Sequence, residues 1–223
     1  MNFIEYPDRD LMMIGLADRL SSELENTLLT QARATLCVPG GTTPGPAFDS
    51  LSASNLDWSR VNVVLSDERW VTEDQPRSNT RLLKERLLVG NAERAYLQRI
   101  RAETATPEEA MDAMIAEVRL ILPITVLLLG MGNDYHIASI FHDADNFEKA
   151  LAPDAPPLMA MRSPTAPEPR VTLTAPVLAN AMHTHILITG PEKREALERA
   201  RNLSPREAPV KLVLNDATVH WAE

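Results

Sequence analysis

Four short apolar runs, each stopping abruptly at glycine, proline or charge, constrain this chain more than any other feature. They are Ala34–Val38, Val61–Leu65, Ile124–Leu129 and His185–Thr189. They run into Pro39-Gly40-Gly41-Thr42-Thr43-Pro44-Gly45, Ser66-Asp67-Glu68-Arg69, Gly130-Met131-Gly132-Asn133-Asp134 and Gly190-Pro191-Glu192-Lys193 respectively. The runs are too short for helices and apolar at nearly every position rather than at alternate ones, so each reads as a strand buried on both faces. Stretches of helical composition separate them, such as Arg77 to Leu88 and Pro107 to Leu120, and Glu192 to Arg201 follows the last run with proline at its start. Strand, loop and helix in alternation predict an α/β fold, a mainly parallel, Rossmann-like sheet flanked by helices on both faces.

The remaining segments fit around that sheet. Leu11, Ile14, Leu16, Leu20, Leu24 and Leu28 recur at roughly helical spacing and predict an opening amphipathic helix over Leu11 to Gln31. Leu151 to Arg170 carries Pro153, Pro156, Pro157, Pro164, Pro167 and Pro169 around the apolar piece Leu158-Met159-Ala160-Met161, which reads as a surface loop flanking a short strand. Val210 to Leu214 and Ala217 to Trp221 read as a closing pair of strands around Asn215-Asp216. No repeat or linker interrupts the 223 residues, and 44% hydrophobic content suits one domain spanning residues 1–223.

Several function classes are excluded early. A formal net charge of −9 with no basic block argues against binding nucleic acid. The longest apolar stretch, Ile121 to Met131, contains Pro123 and falls far short of the roughly 20 residues that cross a bilayer. The N-terminus lacks a basic region followed by an apolar run, so a mature chain starting at Met1 and a cytoplasmic location are expected. Cys37 is the single cysteine and sits inside an apolar run, the place of a buried, inert thiol; no Cys-based zinc site is possible. His183 and His185 lack a third ligand nearby in sequence, and His142 and His220 are isolated, so no metal is expected. The Gly40 loop lacks the Gly-Lys-Ser/Thr ending of a nucleotide loop, and Gly130 to Tyr135 lacks the last glycine of a dinucleotide fingerprint. No cofactor is therefore expected.

Ligands of open parallel sheets bind beyond the carboxyl ends of the strands. Gly40, Gly41 and Thr42 offer backbone and hydroxyl donors for an anion, or form a plain tight turn. Asp67-Glu68-Arg69 places two carboxylates and a guanidinium at a strand end, either a phosphate clamp or a surface ion pair. His136 follows Asp134 by two residues and suits a general base working near neutral pH. Asp134 either orients that imidazole or caps a helix beginning near His136; the two roles are compatible. Lys193 lies in the first turn of a helix whose positive end favours anions, the alternative being a solvated lysine.

Gly40-Gly41-Thr42-Thr43-Pro44, Ser66-Asp67-Glu68-Arg69-Trp70-Val71, Ser78-Asn79, Leu129 to Phe141, Arg170-Val171-Thr172-Leu173-Thr174 and Gly190-Pro191-Glu192-Lys193 together resemble the 6-phosphogluconolactonase family, in order and over nearly the whole chain. The resemblance implies a fold related to glucosamine-6-phosphate deaminases and ribose-5-phosphate isomerases. It implies metal-free hydrolysis of a sugar-phosphate lactone in the pentose phosphate pathway. Carried onto matching positions, it makes His136 the general base, Arg69 and Lys193 the phosphate cations, and Gly40, Gly41 and Thr42 the substrate loop, with Asp67 and Asp134 as supporting acids. The chain departs from the family pattern at Asn133, Tyr135, Ile137 and His142. Tyr135 in place of glycine either strains the backbone, if that position needs positive φ, or adds a wall to the pocket. Two rival readings are a deaminase, favoured by His136-Ile137-Ala138, and a non-catalytic sugar-phosphate sensor, which the lack of an N-terminal segment for a DNA-binding module disfavours.

Overall fold

The computed structural model describes residues 1–223. The strands anticipated from the apolar runs form β2 (Ala34–Val38), β3 (Val61–Leu65), β6 (Val126–Gly130) and β9 (His183–Thr189). β2 and β3 are buried at every position, which is why their sequences lack a polar face. Three further strands complete the sheet: β1 (Asn2–Glu5), β5 (Tyr96–Gln98) and β10 (Thr218–Ala222). The order is β1-β10-β9-β6-β2-β3-β5 and every pairing is parallel. β1 and β5 are short and partly exposed, and carry little of the apolar signal that marks the central strands.

Strand order reverses beside β2. From β2 the chain builds outward through β3 and β5, then returns to the other side with β6, β9 and β10. A crevice opens at such a reversal, because the connections leaving the two neighbouring strands run in opposite directions. Here it lies between the end of β2, where Pro39-Gly40 follows, and the end of β6 at Gly130.

Helices flank the sheet. α1 (Arg9–Leu28) begins at Asp8, whose carboxylate accepts the Leu11 amide at 2.8 Å, and it packs on β10, β2 and α2 (Gly45–Ser52). Its buried face is Met12, Met13, Leu16, Ala17, Leu20, Leu24 and Leu28, whereas Leu11 and Ile14 are each 50% exposed. The apolar stripe is thus rotated towards the two methionines relative to the sequence expectation. α3 (Asn79–Arg86), α4 (Met111–Arg119), α5 (Phe147–Leu151), α6 (Ala175–Ala179), α7 (Pro191–Ala200) and α8 (Lys211–Leu214) complete the set.

Two expectations are corrected. Val210 to Leu214 is not a strand: Lys211–Leu214 is α8, so β10 has no hairpin partner and instead inserts in parallel between β1 and β9. A four- or five-residue apolar run has no period long enough to separate strand from helix. The residues after β3 are also not simply a loop. Asp67–Arg69 forms β4, which pairs antiparallel with β8 (Arg170–Leu173), itself paired with β7 (Leu158–Met161), in a second sheet of order β4-β8-β7. The short strand expected inside the proline-rich segment is β7. This small sheet stands at the carboxyl end of β3 and forms one wall of the crevice.

Candidate active site

Strand alternation sorts the Asp67-Glu68-Arg69 triplet, because successive side chains of a strand face opposite ways. Glu68 is buried, 1% exposed, and serves the fold: its carboxylate accepts the amides of Asn79 and Thr80 at 2.8 and 2.7 Å and the Thr80 hydroxyl at 2.7 Å, closing the start of α3. Asp67 and Arg69 both line the crevice. The Asp67 carboxylate accepts the Ser139 hydroxyl at 2.6 Å and the Ser66 hydroxyl at 3.0 Å, and the Arg170 guanidinium lies 3.7 Å away. Arg69 donates to the Arg77 carbonyl through Nη1, which sets its reach.

His136 enters from the opposite wall, on the irregular segment that follows β6. No helix begins near His136, so Asp134 is not a helix cap. Its Oδ1 instead meets His136 Nδ1 at 2.6 Å. That contact, foremost, holds the Asp134 carboxyl at about 2, below the usual range, even though burial acts against it. With Nδ1 engaged, Nε2 has no protein partner and is the nitrogen available for proton transfer. Gly132 makes room for the pair: a Cβ there would lie 2.2 Å from His136 Nδ1 and 2.3 Å from Asp134 Oδ1.

The departures from the family pattern now have structural places. Tyr135 adopts φ +68°, and the nearby Ala138 φ +49°, so the turn needs the left-handed region that glycine enters most easily. Cross-links hold it there: the Tyr135 carbonyl accepts the Val210 amide at 3.0 Å, and its hydroxyl meets Arg199 Nε at 3.4 Å. Ile137 is fully buried and anchors the segment in the core, whereas Asn133 and His142 are exposed and line no part of the crevice.

Two pockets adjoin at the crevice and share Pro39, Gly40, Gly130 and Met131. One holds His136, Asp67, Arg69, Gly41, Asn79 and Arg170. The other is lined by Thr43 and Lys193 and lies by the start of α7. Lys193 Nζ donates to the Met131 carbonyl at 2.6 Å; partial burial pulls its pKa below the usual lysine value, with Asp134 and Glu192 opposing. Thus Gly40, Gly41, Asp67, Arg69 and His136 come together around one pocket, Asp134 supports it from behind, and Lys193 belongs to the neighbouring pocket. Thr42 lines neither; its neighbour Thr43 does.

Asn79 and Arg170 are pocket residues that were not site candidates by sequence. Asn79 Nδ2 donates to the Asp67 carbonyl at 2.9 Å, and its side chain occupies the space a Cβ on Gly40 would fill, 2.0 Å from Oδ1. The remaining histidines serve elsewhere. His185 and His220, from neighbouring strands, hydrogen-bond at 3.0 Å beneath α1 and continue to Glu23 at 2.7 Å and Tyr6 at 2.9 Å. No group of three or more His, Cys, Asp or Glu side chains is placed to hold a metal ion, and no helix is long and apolar enough to cross a membrane.

Comparison with known proteins agrees with this arrangement. Residues 7–221 match the family model described as glucosamine-6-phosphate isomerases/6-phosphogluconolactonase. A 6-phosphogluconolactonase of Mesorhizobium japonicum is 36% identical over 227 aligned positions, covering 99% of this chain and 95% of that protein. The crystal structure of a 6-phosphogluconolactonase from Shewanella baltica superposes with a TM-score of 0.94 at 30% identity, over 100% of this chain and 98% of that one. A monomeric glucosamine-6-phosphate deaminase shares the fold, with a TM-score of 0.81 at 17% identity over 100% of this chain and 98% of that one. The sheet, the crevice at its strand reversal and the family match over nearly the full length agree: the chain belongs to the glucosamine-6-phosphate isomerase/6-phosphogluconolactonase family.

Proposed function

We propose that this protein hydrolyses 6-phospho-D-glucono-1,5-lactone to 6-phospho-D-gluconate, in the cytoplasm, as a step of the pentose phosphate pathway. The observation that carries the reading is the Asp134–His136 pair, with Nε2 free, in a pocket that adjoins a second pocket holding Lys193. A sugar phosphate has two ends, and two adjoining pockets suit it.

The phosphate sits by Lys193, Thr43 and the N-terminal turn of α7, where an ammonium and aligned amides both favour an anion. The lactone carbonyl then lies beside His136, and fixing both ends makes attack effectively intramolecular. His136 Nε2 takes a proton from water while the water oxygen bonds to C1 and the carbonyl π pair moves onto its oxygen. Collapse of that intermediate re-forms the C=O bond and breaks the bond from C1 to the ring oxygen, which takes the proton back from His136. The acid released at C1 ionises to the solvent. Asp134 holds His136 in the tautomer with Nδ1–H towards the carboxylate, and stabilises the imidazolium between the two transfers.

The test generates the lactone in situ and follows acid release above the spontaneous rate for the wild type and for His136→Ala. The reading predicts acceleration by the wild type and a loss of about 10²- to 10⁴-fold in the variant. No acceleration by the wild type, together with ammonia release from glucosamine 6-phosphate, replaces it with the deaminase reading.

A further inference from the structure

Arg170 reaches the His136 pocket from β8, in the small sheet, and its side chain is only 11% exposed. It is held on two sides. Asp67 lies 3.7 Å away, and the guanidinium carbon sits 5.7 Å from the Phe141 ring centre, within cation–π range. The other neighbour of that ring is His136 itself, at 4.4 Å between centroids. Arg170 is thus fixed relative to the base through one shared aromatic ring.

Its charge is poorly balanced. Arg69 lines the same pocket, and the Nε atoms of Arg69 and Arg170 are both buried with no acceptor in the protein. Asp67 is the one carboxylate lining this pocket, and it already accepts from Ser66 and Ser139. Buried guanidinium N–H groups without acceptors are costly unless an anion completes the site. Burial weakens Arg170's hold on its proton, with Asp67 opposing, which marks the same imbalance. The phosphate has its own cation, Lys193, in the adjoining pocket. What remains for the His136 pocket is the end of the substrate where negative charge develops.

We propose that Arg170 is a catalytic residue, donating to the lactone carbonyl oxygen as it becomes an oxyanion and, after ring opening, holding the carboxylate of the product. This rests on the lactonase reading. The role needs no movement, since Asp67 and Phe141 already orient the guanidinium, and a preorganised donor of this kind typically contributes about 10²- to 10³-fold to turnover.

Titration calorimetry on the whole protein separates this role from a structural one. The probes are 6-phosphogluconate and glucitol 6-phosphate, which differ only in carrying a carboxylate or a CH₂OH at C1. The wild type is expected to prefer the carboxylate by about 10- to 100-fold, the range of a charge-assisted hydrogen bond. In Arg170→Met the preference falls to within about 3-fold by loss of that bond, glucitol 6-phosphate binds as before, and kcat drops by about 10²-fold or more. Arg170→Lys keeps the charge without the fork and gives an intermediate preference; it decides the matter if the methionine variant does not fold, a wild-type preference then overturning the proposal. Retention of the preference in Arg170→Met, or equal weakening of both ligands, also overturns it and leaves the lactonase reading standing. A wild type that binds neither probe removes both.

Discussion

The chain contains two histidine–carboxylate pairs of nearly equal length in opposite surroundings. His136 and Asp134 meet at 2.6 Å on an irregular segment at the mouth of the sheet, with side chains 30% and 42% exposed. His185 and Glu23 meet at 2.7 Å between β9 and α1, with side chains 2% and 17% exposed. The first pair leaves one imidazole nitrogen free and stands beside Arg69, Arg170 and an open pocket. The second leaves none: His185 spends Nδ1 on His220, which in turn reaches Tyr6. A bond length therefore says nothing about role. The number of nitrogens left over, and whether a ligand can reach them, decides between chemistry and structure.

The contrast can be broken from either side. Replacing His185 with Ala removes the centre of the buried relay and leaves Glu23 Oε2 and His220 Nε2 without the hydrogen bonds that His185 makes to them. The expected cost is about 2–4 kcal/mol, since burying unsatisfied polar groups carries about 1–3 kcal/mol each. Urea unfolding measures it, and an unchanged midpoint would mean that the relay contributes nothing. Asp134→Asn acts on the open pair, where an amide cannot fix the tautomer or support the imidazolium as a carboxylate does. We expect kcat to fall at least about 10-fold with KM nearly unchanged, each tenfold being about 1.4 kcal/mol; a rise in KM alone would place Asp134 in binding instead.

Acid sharpens the comparison further. Burial first, then the neighbouring His185, pushes His220 down to about 3, so the folded protein keeps it neutral. The unfolded chain takes up that proton near pH 6.5, so it binds more protons than the folded state between about pH 6.5 and 3. The associated stability is complete above pH 6.5 and is lost as pH falls towards 3. Asp134 follows lower down, its contribution being lost between about pH 4 and 2. A melting temperature that declines from pH 6.5 in the wild type, and more gently in His220→Asn, is the expected result. A wild-type curve flat to pH 4 would contradict it.

Much of this was readable in the sequence, for identifiable reasons. β2, β3, β6 and β9 announced themselves because burial on both faces makes their central positions largely apolar. The segments that follow these strands carry the site: Gly40 after β2, Asp67 in β4 after β3, Asp134 and His136 after β6, and Lys193 in the first turn of α7 after β9. Other features were hidden. β4 is three charged residues and β8 only four residues, both too short for a period to mark a sheet. Arg170 belongs to a motif that carries the family resemblance, but its place in the pocket emerges only when β8 pairs with β4 and brings it to Asp67. Glu68 and Asp67 look equivalent as letters, yet strand alternation gives one to α3 and the other to the pocket. The relay of His185, His220, Glu23 and Tyr6 joins residues more than 160 positions apart, beyond any local pattern.

The most direct test of the division between the two pairs measures kcat/KM on 6-phosphogluconolactone and unfolding free energy for His136→Ala and His185→Ala side by side. The account predicts that His136→Ala loses about 10²- to 10⁴-fold in kcat/KM and no more than about 1 kcal/mol of stability, the range of a partly exposed ion pair. His185→Ala should show the reverse, near-wild-type kcat/KM at 25 °C and a stability lower by about 2 kcal/mol or more. A His136→Ala protein that unfolds early while hydrolysing the lactone at the wild-type rate would contradict the account.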